Sequence, residues 1–85
     1  MSYAVQFEAI AEQDVAAIWT AATDRNVVTE AVSWLEARLS FDPLRMGESR
    51  SSSVHRVVFR RPIGIEYEVI EDDKLVLVHA VFAID

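Results

Sequence analysis

Eighty-five residues with no cysteine and a formal net charge of -6 set narrow bounds on this chain. A chain this short forms one domain and buries only about 60 to 65% of its unfolded surface, so its stability is modest or supplemented by a partner. The absence of thiols excludes disulfide frameworks and thiolate metal or nucleophile sites and fits a reducing, cytoplasmic setting. With 52% hydrophobic residues and only two Gly and two Pro, the chain is predicted to fold. Its apolar runs are strand-sized, which indicates neither secretion nor membrane insertion.

Residues 3–7 alternate, with Tyr3, Val5 and Phe7 against Ala4 and Gln6, which predicts a short half-buried strand. A helix is predicted from Glu8 or Ala9 onward, because Ala11, Val15, Ile18, Trp19 and Ala22 recur at three- and four-residue spacing. Trp19 extends that stripe and is expected in the core. Thr23 or Asp24 breaks the run and supplies a side-chain oxygen able to cap a second helix over residues 25–39, whose stripe is Val28, Ala31, Val32, Leu35 and Leu39. Pro43 disfavours helical geometry at Asp42 and ends it. The helices are thus expected to form a hairpin with a joint apolar face.

Residues 42–53 carry Gly47 and the run Ser51-Ser52-Ser53 and read as a loop. Three apolar runs follow, at residues 54–61, 63–70 and 75–84, joined by connections too short for a crossover, so they are predicted to form an antiparallel three-strand meander. In the middle run Ile63, Ile65, Tyr67 and Val69 face the core and Gly64, Glu66 and Glu68 face water. The last run is apolar on both faces and is expected inside the sheet. The predicted class is α+β, with a short N-terminal strand and a two-helix hairpin packed on an antiparallel sheet formed with the meander, as a single domain over residues 1–85.

Charge is segregated along the chain: residues 1–41 carry -4, residues 42–61 carry +3 and residues 62–85 carry -5. The whole molecule repels polyanions, which disfavours nonspecific nucleic-acid binding. The basic segment holds Arg45, Arg50, Arg56, Arg60 and Arg61, all suited to bidentate contact with carboxylate or phosphate. These arginines either pair with the chain's own acids or meet an acidic protein surface. Trp34 lies beside the second helix's stripe and is the better of the two tryptophans for an interface. His79 has a pKa suited to proton transfer, against the alternative of a hydrogen-bonded packing residue. His55 and His79 are too few for a metal site, and no cofactor-binding loop or nucleophile motif occurs.

The order strand, helix, helix, strand, strand, strand resembles the RelE/ParE superfamily of bacterial toxins from type II toxin-antitoxin systems. The resemblance spans the chain and is carried by the first helix at residues 9–19, the loop Asp42-Pro43-Leu44-Arg45-Met46-Gly47, and Ile63-Gly64-Ile65-Glu66-Tyr67-Glu68-Val69 followed by an acidic turn and residues 75–81. It implies an antitoxin partner and either ribosome-dependent messenger RNA cleavage or inhibition of DNA gyrase. Cleavage requires cations for phosphate and a proton-moving group. The family's usual strand arginine falls at Gly64 or Glu66, and no arginine follows Arg61. The side chains left for such a site are Arg56, Arg60, Arg61, Tyr67 and His79. The resemblance therefore implies a diverged toxin with weak or no nuclease activity, or a noncatalytic interaction module that retains the fold.

Overall fold

A computed structural model describes residues 2–84. Strand β1 (Ala4–Phe7) leads into helix α1 (Ala9–Ala21) and, after a short turn, helix α2 (Arg25–Phe41). The chain continues as β2 (Glu48–Ser52), β3 (His55–Arg60) and β4 (Ile63–Ile70), then a 3-10 turn at Glu71–Asp73 and β5 (Leu75–Ala83). The expected C-terminal residue of the last run, Ile84, lies just past β5, and Asp85 falls outside the described residues.

The helix ends follow from local chemistry. Asp24 has extended backbone and its carboxylate accepts the Asn26 amide at 3.1 Å, an N-cap that satisfies one orphan donor of α2. Arg25 reaches back to the carbonyls of Trp19 and Thr20, both at 3.2 Å, and so satisfies acceptors at the end of α1.

The sheet runs β1-β5-β4-β3-β2. β2 to β5 are antiparallel neighbours, whereas β1 lies parallel to β5, with Ala4 opposite Leu75 and Phe7 opposite Val78. The sheet is therefore mixed. Its interior strand β5, flanked by β1 and β4, is the run that is apolar on both faces. One sheet face packs on the hairpin: Ile63, Ile65, Tyr67, Val69, Val76 and Val78 join Ala11, Ala31, Leu35 and Leu39 in the core. At about 25 cal/mol per Å² of apolar surface, each such Leu or Ile contributes about 1.5–3 kcal/mol.

Two expectations are corrected. Residues 48–52 are not loop but an edge strand, Glu48–Ser52, wholly exposed, with Glu48 opposite Val57 and Ser49 opposite Arg56. Nothing in that segment is apolar, so no hydrophobic alternation marks it. The meander thus has four strands. Trp19, expected in the core, is 42% exposed. It sits one residue, about 100° of helix, beyond Ile18 and so falls on the flank of the stripe. There its ring lies 4.6 Å from the Arg25 guanidinium and its indole N–H donates to Thr29 Oγ1 at 3.2 Å, a partner the core does not offer.

Candidate functional site

The structure divides the predicted site residues between the two faces of the sheet. On the helix side, Arg56 stands directly opposite Tyr67. The Arg56 guanidinium donates to the carbonyls of Met46 (2.8 Å), Ser53 (2.9 Å) and Gly47 (3.2 Å). The Tyr67 hydroxyl is within donating distance of the carbonyls of Pro43 (2.7 Å) and Met46 (3.0 Å). Burial raises the Tyr67 pKa, opposed by the Arg56 cation beside it. Tyr67 is fully buried, and the half-buried Arg56 spends all three of its guanidinium nitrogens on loop carbonyls. Together they pin residues 43–47 to the sheet, a backbone of high polarity that would otherwise need water.

The open face carries the histidines. A bulge interrupts the β4–β5 ladder: Tyr67 pairs with Val78 but Glu66 pairs with Ala80, which leaves His79 as the extra residue. The start of α1 is stitched to β5 on either side of this bulge. The Glu8 amide donates to the Val78 carbonyl at 3.0 Å, and Asp14 accepts the Val81 amide at 3.1 Å. His79 Nδ1 meets the Glu8 carboxylate and Nε2 meets Glu68 at 3.1 Å. His55 Nε2 meets Glu66 at 3.1 Å, Nδ1 meets Ser51 Oγ at 3.1 Å, and the two imidazoles stand edge to face at 5.7 Å. Burial alone would lower the His79 pKa, but hydrogen bonds to Glu8 and Glu68 outweigh it and raise the pKa above its ordinary value.

This array can hold and exchange a proton, so the sequence's interest in His79 finds a setting, yet its electrostatics suit a cation rather than a phosphate. Three carboxylates surround the two imidazoles, and the arginine bordering them is Arg50, in a shallow recess with Ser49, Ser51, His55 and Glu66. Where the family's strand arginine would fall, Gly64 lies beneath Phe59 and Phe82, which meet edge to face at 6.0 Å. A Cβ on Gly64 would come within 2.5 Å of the Phe82 ring. A longer side chain there would displace that pair.

A second feature opens between the end of α2 and β3, a cleft of about 340 Å³. Trp34, Arg38 and Phe41 recur at four- and three-residue spacing, so one helix face delivers all three to it. β3 closes the other side at Val58 and Phe59, the Phe59 ring itself lying on the open face against Phe82, and Asp42, Arg45 and Met46 come from the end of α2 and the pinned loop. The guanidinium groups of Arg60 and Arg38 lie 4.3 and 4.9 Å from the Trp34 ring. Arg60 also meets Glu30 at 3.4 Å, and Arg45 meets Asp42 at 3.9 Å with its side chain 86% exposed. Arg61 is exposed in the β3–β4 turn. Sequence reasoning singled out Trp34, Arg45 and Arg60 but missed Arg38 and Phe41; the 34, 38, 41 spacing was the available signal.

No family model matches the sequence, and no curated protein matches it significantly. Solved structures do. A chain of the RelBE2 toxin-antitoxin complex from Mycobacterium tuberculosis superposes with a TM-score of 0.79 at 20% identity, covering 98% of this chain and 92% of that one. A free mutant of the E. coli toxin RelE gives 0.76 at 16% identity, covering 98% and 84%. A chain of the chromosomal ParDE system from P. aeruginosa gives 0.67 at 13% identity, covering 98% and 97%. The chain has the RelE/ParE-like toxin fold.

Proposed function

We propose that the protein is a toxin-like component of a type II toxin-antitoxin system, held by an antitoxin protein, with weak or no nuclease activity. The observation that carries the reading is the fold itself, matched along nearly the full length of both RelE-type and ParE-type chains. The divergence rests on both faces of the sheet. Arg56 is committed to loop carbonyls and Tyr67 is buried, while three glutamates crowd the histidines that would move a proton. A phosphate approaching the open face meets net repulsion.

Partner binding is supported by unsatisfied surface. Ile10, Phe41 and Phe59 are 57, 70 and 49% exposed, and an apolar groove of about 680 Å³ lies between the helix-hairpin turn and Pro62, Ala83 and Ile84. The partner contact is assigned to Arg45, Arg50, Arg60 and Trp34, with Arg56 holding the loop beneath them. The competing reading, a noncatalytic interaction module, draws on the same surface.

Induced expression in a bacterial host separates the two. Growth arrest, relieved by coexpressing an antitoxin where one is encoded beside this chain, is the outcome for the toxin, and normal growth with soluble accumulation is the outcome for the module. Mapping of messenger ends on translating ribosomes tests the nuclease statement. Codon-position cleavage that vanishes in His79→Ala or Arg50→Ala would overturn it.

A further inference from the structure

We infer that the cleft between the end of α2 and β3 is the docking site for an acidic peptide segment carrying one aromatic or large aliphatic side chain. The inference rests on the partner half of the reading above and gives that partner a chemistry. The apolar wall is Phe41, 70% exposed, a large side chain that the chain's own core leaves uncovered. Trp34 and Met46 line the recess beside it and pack on the core. A cleft of about 340 Å³ is at the small end of ligand-binding volumes and suits one anchoring side chain rather than a whole helix.

The charge around that recess selects the rest of the segment. Arg38 lines it, and its observed partner is the Trp34 ring; no carboxylate meets it among the described residues. Arg45 lines it too, and its nearest acid, Asp42, stands at 3.9 Å beside a side chain that is 86% exposed. Two guanidinium groups against the single Asp42 carboxylate leave a net positive charge at this recess on a chain of net charge -6. Such a molecule repels an acidic segment elsewhere and draws it to this cleft. Aromatic and arginine side chains around a recess are also the composition of interface hot spots. Single-stranded nucleic acid would need a track of cations along several phosphates, and two lining guanidinium groups do not provide one.

The cleft is also preorganised. Met46 and Gly47 are held by Arg56, and Met46 again by Tyr67, so the loop that brings Arg45 to the rim does not have to be ordered on binding.

The test uses the full chain and a fluorescein-labelled peptide in which one phenylalanine is flanked by glutamates. Binding is read by fluorescence anisotropy and mapped by amide and indole NMR shifts. The expected result is saturable binding that shifts the Trp34 indole and weakens at least about tenfold in the double reversal Arg38→Glu with Arg45→Glu, and again as salt rises. Phe41→Ala weakens it as well, and a peptide with glutamine in place of glutamate binds more weakly than its parent. Because Arg45 and Phe41 are exposed, dispersed NMR spectra of the variants establish that they fold. Absence of binding, equal binding by the glutamine peptide, indifference to the reversal, or displacement of the peptide by an oligouridine strand would each overturn the proposal. Growth arrest without peptide binding removes the cleft and leaves the toxin reading standing; peptide binding without growth arrest does the reverse.

Discussion

Replacing Tyr67 with Phe isolates one hydroxyl that ties the sheet to the loop leaving α2. The ring is fully buried and would stay in place, so the change removes an oxygen and its hydrogen and little packing. That hydroxyl has one hydrogen to give, and the Pro43 carbonyl at 2.7 Å is the nearer of its two acceptors. Met46 keeps a donor in Arg56 Nε at 2.8 Å; Pro43, itself fully buried, loses its own. An unsatisfied buried carbonyl costs about 1–3 kcal/mol, so a loss of about 2 kcal/mol is expected. In a domain of this size that is about 8–16 °C of melting temperature, with the chain still folded at room temperature. Urea denaturation followed by tryptophan fluorescence measures it, with an unchanged m-value as the sign that only stability has moved. Pairing the change with Arg56→Met sharpens the test. Each side chain backs the other up at the Met46 carbonyl, so the double variant should cost at least about 0.5 kcal/mol more than the two singles added. A Tyr67→Phe midpoint equal to wild type, or strict additivity in the cycle, would refute the idea that these two side chains jointly hold the loop.

Three further outcomes are expected. The raised His79 pKa means that protonation is favoured in the folded state, so its stabilising contribution is fully present below the unfolded pKa and fades as pH rises through the folded one. The stability gap between wild type and His79→Gln should accordingly be wider at about pH 6 than at about pH 9 in urea titrations, and a gap that grows with pH would contradict the Glu8–His79–Glu68 arrangement. Gly47 has φ of +62° and a Cβ there would collide with the Val57 carbonyl, so Gly47→Ala should lose more than the about 1–2 kcal/mol of a left-handed residue alone. A smaller loss by chemical denaturation would mean that β2 is not seated as described. Trp19→Ala should cost about 1–2 kcal/mol rather than the about 3–5 kcal/mol of a buried ring, because the indole is 42% exposed; global unfolding of this variant would return Trp19 to the core.

What the sequence disclosed and what it withheld divide along a physical line. Where burial writes a period into the chain, the reading succeeded: Val28, Ala31, Leu35 and Leu39 on α2, and Ile63, Ile65, Tyr67 and Val69 on β4, are the core residues expected of them. The Asp24 cap was legible because only a short acceptor side chain suits that backbone position. β2 was not, because an edge strand of polar residues is held by backbone pairing that leaves no hydrophobic trace. The stripe of α1 was read one residue too wide, since spacing alone does not distinguish Ile18 at the core from Trp19 on its flank. The bulge at His79 was hidden as well. A run apolar on both faces gives no sign that its alternation slips, and the slip is what gathers Glu8 and Glu68 around one imidazole.

The parallel seat of β1 beside β5 governs when this domain comes into being. Ala4 pairs with Leu75 and Phe7 with Val78, so most of the chain separates the partners, and closing so long a loop must precede any reward from it. α1 packs chiefly on the same late strand, through the Val78 and Val81 backbone. A nascent chain that stops short of β5 therefore leaves β1 without a neighbour and β4 with an open flank. β1 waits for β5. Whatever the finished surface does in the cell begins only once β5 has emerged, and a partner that recognises the folded surface has nothing to hold before that moment.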